Sequence, residues 1–286
     1  MFKRTLACAL FAITGHVYAA DIQVTTLVDE DKDDTVCSLR EAVFFLNNRA
    51  KKEYENGYHG CGNKDASSII VLQRGKEYSL NKSLELKVGM TITTATSGDF
   101  NDNKKGTNNA TLKMLGSDRI FFINDGSVEK ELILVNLNEL NLKGSATKLN
   151  DGGLIYNREA LNIQYSRLTS GNATRGGGIY NAGILSDTEK TAGIVRIGNS
   201  ILEGNKADKG AVIYSEMPRY LVFQSVIRDN QGTSAVDGAI LFVQTGFRDE
   251  TTGVALQSRF AGINNTTIFQ NKGGYVANIR EGMIVN

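Results

Sequence analysis

The chain has 286 residues, 41% hydrophobic and 22% charged, a balance that excludes a disordered chain and suits a soluble protein with a sizeable core. Thirty-two basic residues face 31 acidic ones, so no net field argues for nucleic acid or an anionic membrane as a partner. Thirty glycines against one proline, Pro218, point to tight turns between many short strands.

Residues 1–19 have the form of a secretory signal. Lys3 and Arg4 make a basic start, Leu6 to Ile13 a short apolar run, and Val17-Tyr18-Ala19 a cleavage site before Ala20. The apolar run is too short for a membrane span, and no later segment reaches the roughly 18 uninterrupted apolar residues that a transmembrane helix needs. Cys8 lacks the residues of a lipoprotein box. Cleavage leaves Cys37 and Cys61 as an even pair in a compartment where disulfides form. We expect them to be bridged, closing a loop of about 25 residues and stabilising by roughly 3 kcal/mol through chain entropy. A zinc site would need two more ligands; His59 is near, and the only other histidine is His16, inside the signal.

From Ile22 to Val28 the sequence alternates like a first strand. Asp29, Asp31, Asp33 and Asp34 follow with the odd-position spacing of a calcium loop. Asp34 stands where that loop needs glycine, however, and Arg40 where it needs glutamate. The run reads instead as a solvated acidic loop whose charge suits the N-terminus of the next helix. Ser38 and Glu41 have the spacing of a capping box, and Leu39, Ala42, Val43 and Leu46 fall on one helical face, so a helix is predicted from Leu39 to Asn48. The polar stretch from Arg49 to Lys64 is predicted to be a loop returning to Cys61.

The stretch Cys37-Ser-Leu-Arg-Glu-Ala42 resembles the CSLREA motif that names a group of exported bacterial proteins. The resemblance implies parallel β-helix repeats after the motif. Gly176-Gly-Gly-Ile-Tyr180 and the segment from Ser200 to Asn205 look like the repeats of those proteins and of polymorphic outer-membrane proteins. Some members carry a C-terminal sorting tail with a Gly-Gly motif, an apolar helix and basic residues. The sequence reaches Ile284-Val-Asn286 without one, so it is expected either to be truncated or to stand outside that narrower group.

The residues after the cap support the same architecture independently. Short strands are predicted at 69–72, 78–80, 84–86, 90–92, 111–114, 120–123, 132–137 and 140–142, too frequent for βαβ units. The polar stretch Ser97 to Asn109 reads as a solvated turn, with Asp99, Asn101 and Asn103 as a weaker cation reading. Two alternating repeats then appear. Ser200-Ile-Leu-Glu-Gly-Asn205 recurs at Ser225 to Asn230 and Thr266 to Asn271, and with one extra residue at Ser166 to Asn172. Gly210-Ala-Val-Ile-Tyr214 recurs at Gly152 to Tyr156, Gly176 to Tyr180 and Gly238 to Phe242. The spacing of about one rung of three short strands predicts a coil, with Leu185 to Gly193 and Gln244 to Gly253 as insertions.

The sequence therefore predicts an all-β, right-handed parallel β-helix (solenoid) with an N-terminal capping α-helix: signal 1–19, cap 20–65, repeats 66–286. Leu168, Leu202, Ile227 and Ile268 are expected inside. Asn172, Asn205, Asn230 and Asn271 are expected to stack as a structural ladder, with glycine bends at 152, 176, 210 and 238. The residues before those bends, Asp151, Arg175, Lys209 and Asp237, are expected to form a partly alternating charge ladder.

No catalytic, cofactor or metal residue is assigned. Asp208, Asp229 and Asp237 are the best carboxylates for a polysaccharide hydrolase or lyase, with Arg175 or Arg228 as base, but they form no recognised motif. His59 lies in a polar loop, which disfavours a Ser-His-Asp arrangement. The leading expectation is an exported, monomeric surface or secreted scaffold for adhesion or display, contacting surface carbohydrate or protein, with no catalysis. The alternative is an enzyme acting on an acidic polysaccharide.

Overall fold

The structure, a computed structural model, describes residues 19–95, 106, 108–127, 131–183, 192–234, 238, 240–243, 247–248, 255–256 and 261–279. The signal residues Lys3 to Tyr18, the loop residues Asp99, Asn101 and Asn103, Asp237 and most of the two insertions lie outside them.

The described chain is an all-β coil of parallel strands with one α-helix at its start. Its first face is an eight-stranded sheet, its second and third faces are seven-stranded, and a shorter four-stranded sheet lies between the second and third. Every pairing within these four sheets is parallel. A rung such as Ile194–Gly198, Ile201–Glu203, Lys206–Lys209 and Ile213–Ser215 visits the four sheets in turn before the chain climbs to the next.

Register explains the composition. On the first face Ile22, Ile70, Ile92, Leu137, Ile163, Ile197, Val222 and Ile263 lie one above another. On the second face Tyr78, Leu112, Leu142, Leu168, Leu202, Ile227 and Ile268 do the same. A parallel coil buries the same position of every rung, so each inward column repeats a branched apolar residue. All but the terminal Ile268 of these two columns are buried in one continuous core.

Corners are made by left-handed residues in columns. Gly152, Gly176 and Gly210 have φ of 64°, 66° and 62°. A Cβ at Gly176 would stand 2.2 Å from the Ile179 carbonyl oxygen, so the bend requires glycine. At another corner, Tyr165, Asn199, Gln224 and Asn265 adopt φ between 45° and 51°.

Helix α1 runs from Leu39 to Asn48, as its periodicity predicts, and has a complete capping box. The first strand is shorter than predicted, Ala20–Gln23. Beyond it the amides of Thr25 and Thr26 turn to the Cys37 carbonyl, which leaves Leu27 and Val28 exposed. The stretch after α1 contains a 3₁₀ turn, Lys52–Tyr54. Phe247–Arg248, inside the second expected insertion, pairs antiparallel with Ala255–Leu256, which lies just past its expected end at Gly253. Among the described residues no helix is long and apolar enough to cross a membrane.

Candidate functional site

The CSLREA-like stretch is the densest set of polar contacts in the cap, and each of its residues has a structural task. Cys37 is bonded to Cys61. Ser38 receives the Glu41 amide on its hydroxyl at 3.2 Å, and its own amide donates to Glu41 Oε2 at 2.8 Å. Leu39 and Ala42 are core residues. Arg40 forms a two-pronged pair with Asp29, at 2.7 and 2.9 Å, and also donates to the carbonyls of Lys82 and Ser83. The motif thus ties the acidic loop and the helix to the first rung.

The same cap closes exposed strand edges, which otherwise invite pairing between molecules. Ala20–Gln23 covers the edge of the first face. Asn47 stands in for a peptide group on the third: its amide donates to Glu85 O at 2.7 Å and its carbonyl accepts from Lys87 N at 2.9 Å. A groove of about 630 Å³ remains between α1 and the first rung, lined by Asp31, Arg40, Phe44, Asn47, Lys82 and Asp118 among others.

The calcium-loop spacing from Asp29 to Asp34 does not bring its carboxylates together. Asp29 is spent on Arg40 and on the Asn81 amide. Asp34 accepts the Val36 amide and pairs with Lys32, while Asp31 turns the other way, towards Tyr58 and His59.

Along the coil, Asn205, Asn230 and Asn271 form a hydrogen-bonded ladder. Asn205 donates through its amide and Nδ2 to Asn230 Oδ1, both at 3.0 Å, and Asn230 repeats this to Asn271 at 3.0 and 2.9 Å. Asn172 does not belong to it. It pairs with Lys206, and Gly171 takes the ladder position, donating its amide to Asn205 Oδ1 at 2.9 Å. The extra residue between Ser166 and Asn172 causes this slip: the left-handed corner falls at Ser170, matching Gly204 and Asp229 in later rungs, so the asparagine arrives one position late.

Three further columns escape the sequence reading. Ser166, Ser200 and Ser225 bond in series, each hydroxyl accepting the amide of the rung below. Asn157, Asn181 and Ser215 form a second buried polar ladder. Phe122, Tyr156, Tyr180, Tyr214 and Phe242 stack with centroids 4.8 to 5.4 Å apart. The repeated Ile-Tyr-Asn triplets at 155–157 and 179–181 carry the signal for the last two. Because the rings lie face to face, the faces between neighbours that a sugar would stack on are already occupied. Arg119, Arg175 and Lys209 lie 5.4, 4.8 and 5.1 Å from the ring centroids of Tyr156, Tyr180 and Phe242 as cation–π contacts.

Of the expected charge ladder, Asp151 and Arg175 are in register and form a two-pronged pair at 2.6 and 2.9 Å, whereas the next step, Arg175 to Lys209, sets two cations in register. That pair holds the Arg175 guanidinium above its ordinary range, the wrong direction for a proton acceptor. Arg228 donates to Glu203 at 2.7 Å. Asp208 receives Lys148 at 2.9 and 2.8 Å and Thr233, which hold its carboxyl below the usual carboxylate range; a general acid needs the opposite shift. Asp229 sits in a left-handed corner, 3.8 Å from Arg228. Comparison with family models, with curated proteins and with solved structures returned no match.

Proposed function

We propose that this chain is an exported β-helix scaffold of the CSLREA type, most similar to the rhombotarget A proteins of Acinetobacter. It holds the loops between its rungs out to surface carbohydrate or protein at the cell surface of a Gram-negative bacterium or outside it. The reading makes it a monomer that works by adhesion or display, without catalysis or a cofactor. The observation that supports it most is how the described polar side chains are used. Asp208, Arg175 and Arg228, all suited to chemistry, are each bonded to an opposite charge, and for Asp208 and Arg175 that partner moves the group away from an acid–base role. The repeated asparagines and serines are consumed in ladders. A rigid, capped coil with variable insertions suits presentation.

The test is to express the gene in a Gram-negative host and recover the protein from the cell exterior. The proposal expects an N-terminus at Ala20, an oxidised Cys37–Cys61 pair, and saturable binding to members of a glycan and surface-protein array. Retention in the cytoplasm with a full-length N-terminus, or an array without saturable binding, contradicts it.

A further inference from the structure

We propose that Asp31, Glu41 and His59 form a binding site for one transition-metal dication of the zinc class. They come from three separate parts of the cap, the acidic loop, the first turn of α1 and the turn before Cys61. His59 Nδ1 lies 2.8 Å from Asp31 Oδ1 and 3.9 Å from Glu41 Oε1, and all three ligand atoms fall within 4.8 Å of one another. Zinc bonds of about 2.0 to 2.1 Å to nitrogen and oxygen place neighbouring ligand atoms about 3.3 Å apart in a tetrahedron. The widest separation must close by no more than about 1.5 Å, shared between two side chains, for the three to meet an ion, with water in the remaining position.

Charge is the second argument. Two neighbouring carboxylates of the acidic loop have cations: Asp29 has Arg40, and Asp34 has Lys32. Asp31 and Glu41 have no lysine or arginine partner among the described residues, and the one basic group against both is His59. Glu41 is 1% exposed. Its Oε1 accepts only the Lys32 amide, at 2.7 Å, and a carboxylate oxygen has a second acceptor site. A dication there would neutralise two carboxylates and leave the imidazole neutral. Three neighbouring devices fix the ligands in place: the capping box holds Glu41, Tyr58 donates to Asp31 at 2.8 Å and stacks on His59, and the Cys37–Cys61 bond anchors the turn. The histidine sets the class, since calcium prefers oxygen alone.

Isothermal titration with zinc chloride on the untagged, oxidised full chain tests this. One zinc per chain is expected at neutral pH, weaker on acidification because protons compete with zinc for the ligand atoms. His59→Ala and Asp31→Asn should each weaken binding about tenfold or more, with circular dichroism and the disulfide unchanged. Cobalt should give a tetrahedral visible band that His59→Ala removes. Absence of stoichiometric zinc uptake, or uptake that survives His59→Ala, overturns the proposal. Calcium binding of equal strength that ignores His59 does so too.

Discussion

Replacing Asn230 by alanine removes the middle of the asparagine ladder and tests how much that ladder holds. The side chain is 1% exposed: its Oδ1 accepts twice from Asn205, at 3.0 Å, and the two hydrogens of its Nδ2 are shared among Leu202 O, Arg228 O and Asn271 Oδ1, each at 2.9 Å. Truncation leaves the Asn205 amide without an acceptor inside the coil. A buried polar group stripped of its partner costs about 1–3 kcal/mol, and the bonds given by the two Nδ2 hydrogens add roughly 1 kcal/mol each. The expected loss is about 3–5 kcal/mol, read as a shift of the urea midpoint at constant slope. Asn172→Ala is the internal control. That side chain makes one bond, to Ala146 O at 3.0 Å in an exposed setting, and should cost no more than about 1 kcal/mol. Equal losses in the two variants would refute the register and the ladder argument together.

Tyr220 points into the core with its hydroxyl buried and without a hydrogen-bond partner among the described residues, and burial pushes its phenol up to about 12. Tyr220→Phe should therefore stabilise, by about 1 kcal/mol in urea unfolding; a loss would show that the hydroxyl is satisfied in solution. Replacing both Cys37 and Cys61 by serine should cost roughly 3 kcal/mol and speed hydrogen exchange in α1 before it does so in the coil. For the Lys148–Asp208 pair, the folded carboxyl lies below its unfolded value. Its contribution is thus complete above about pH 4 and is lost as pH falls through the folded value. Both side chains are more than a third exposed, so solvent screening limits Lys148→Ala to less than about 1 kcal/mol at neutral pH, vanishing in acid.

The coil was legible because its rules are local and repeat. A branched apolar residue at every inward position and a glycine where the Gly176 corner requires it leave the same mark in each rung, and the capping box at Ser38 and Glu41 marks α1 by itself. Register was less legible. Ser166 to Asn172 resembles the other copies, yet only the corner at Ser170 decides that Gly171, and not Asn172, meets Asn205. The extent of the first strand also depended on a distant partner, since the Cys37 carbonyl draws Thr25 and Thr26 out of the sheet. The grouping of Asp31, Glu41 and His59 was hidden for the same reason: their spacing in the chain is irregular, and the turn at Cys61 brings them together. The aromatic column was mostly visible, because the glycine repeat links Tyr156, Tyr180, Tyr214 and Phe242, and only Phe122 carries no such motif.

The account rests on this coil being a binding scaffold whose polar residues serve the fold. The direct test presents the full chain with a panel of acidic polysaccharides, following retention and the release of reducing or unsaturated ends in the same samples. Binding without product release, unchanged by Asp229→Ala, is the predicted result. Sustained product release that Asp229→Ala abolishes, with the fold intact by circular dichroism, would contradict it.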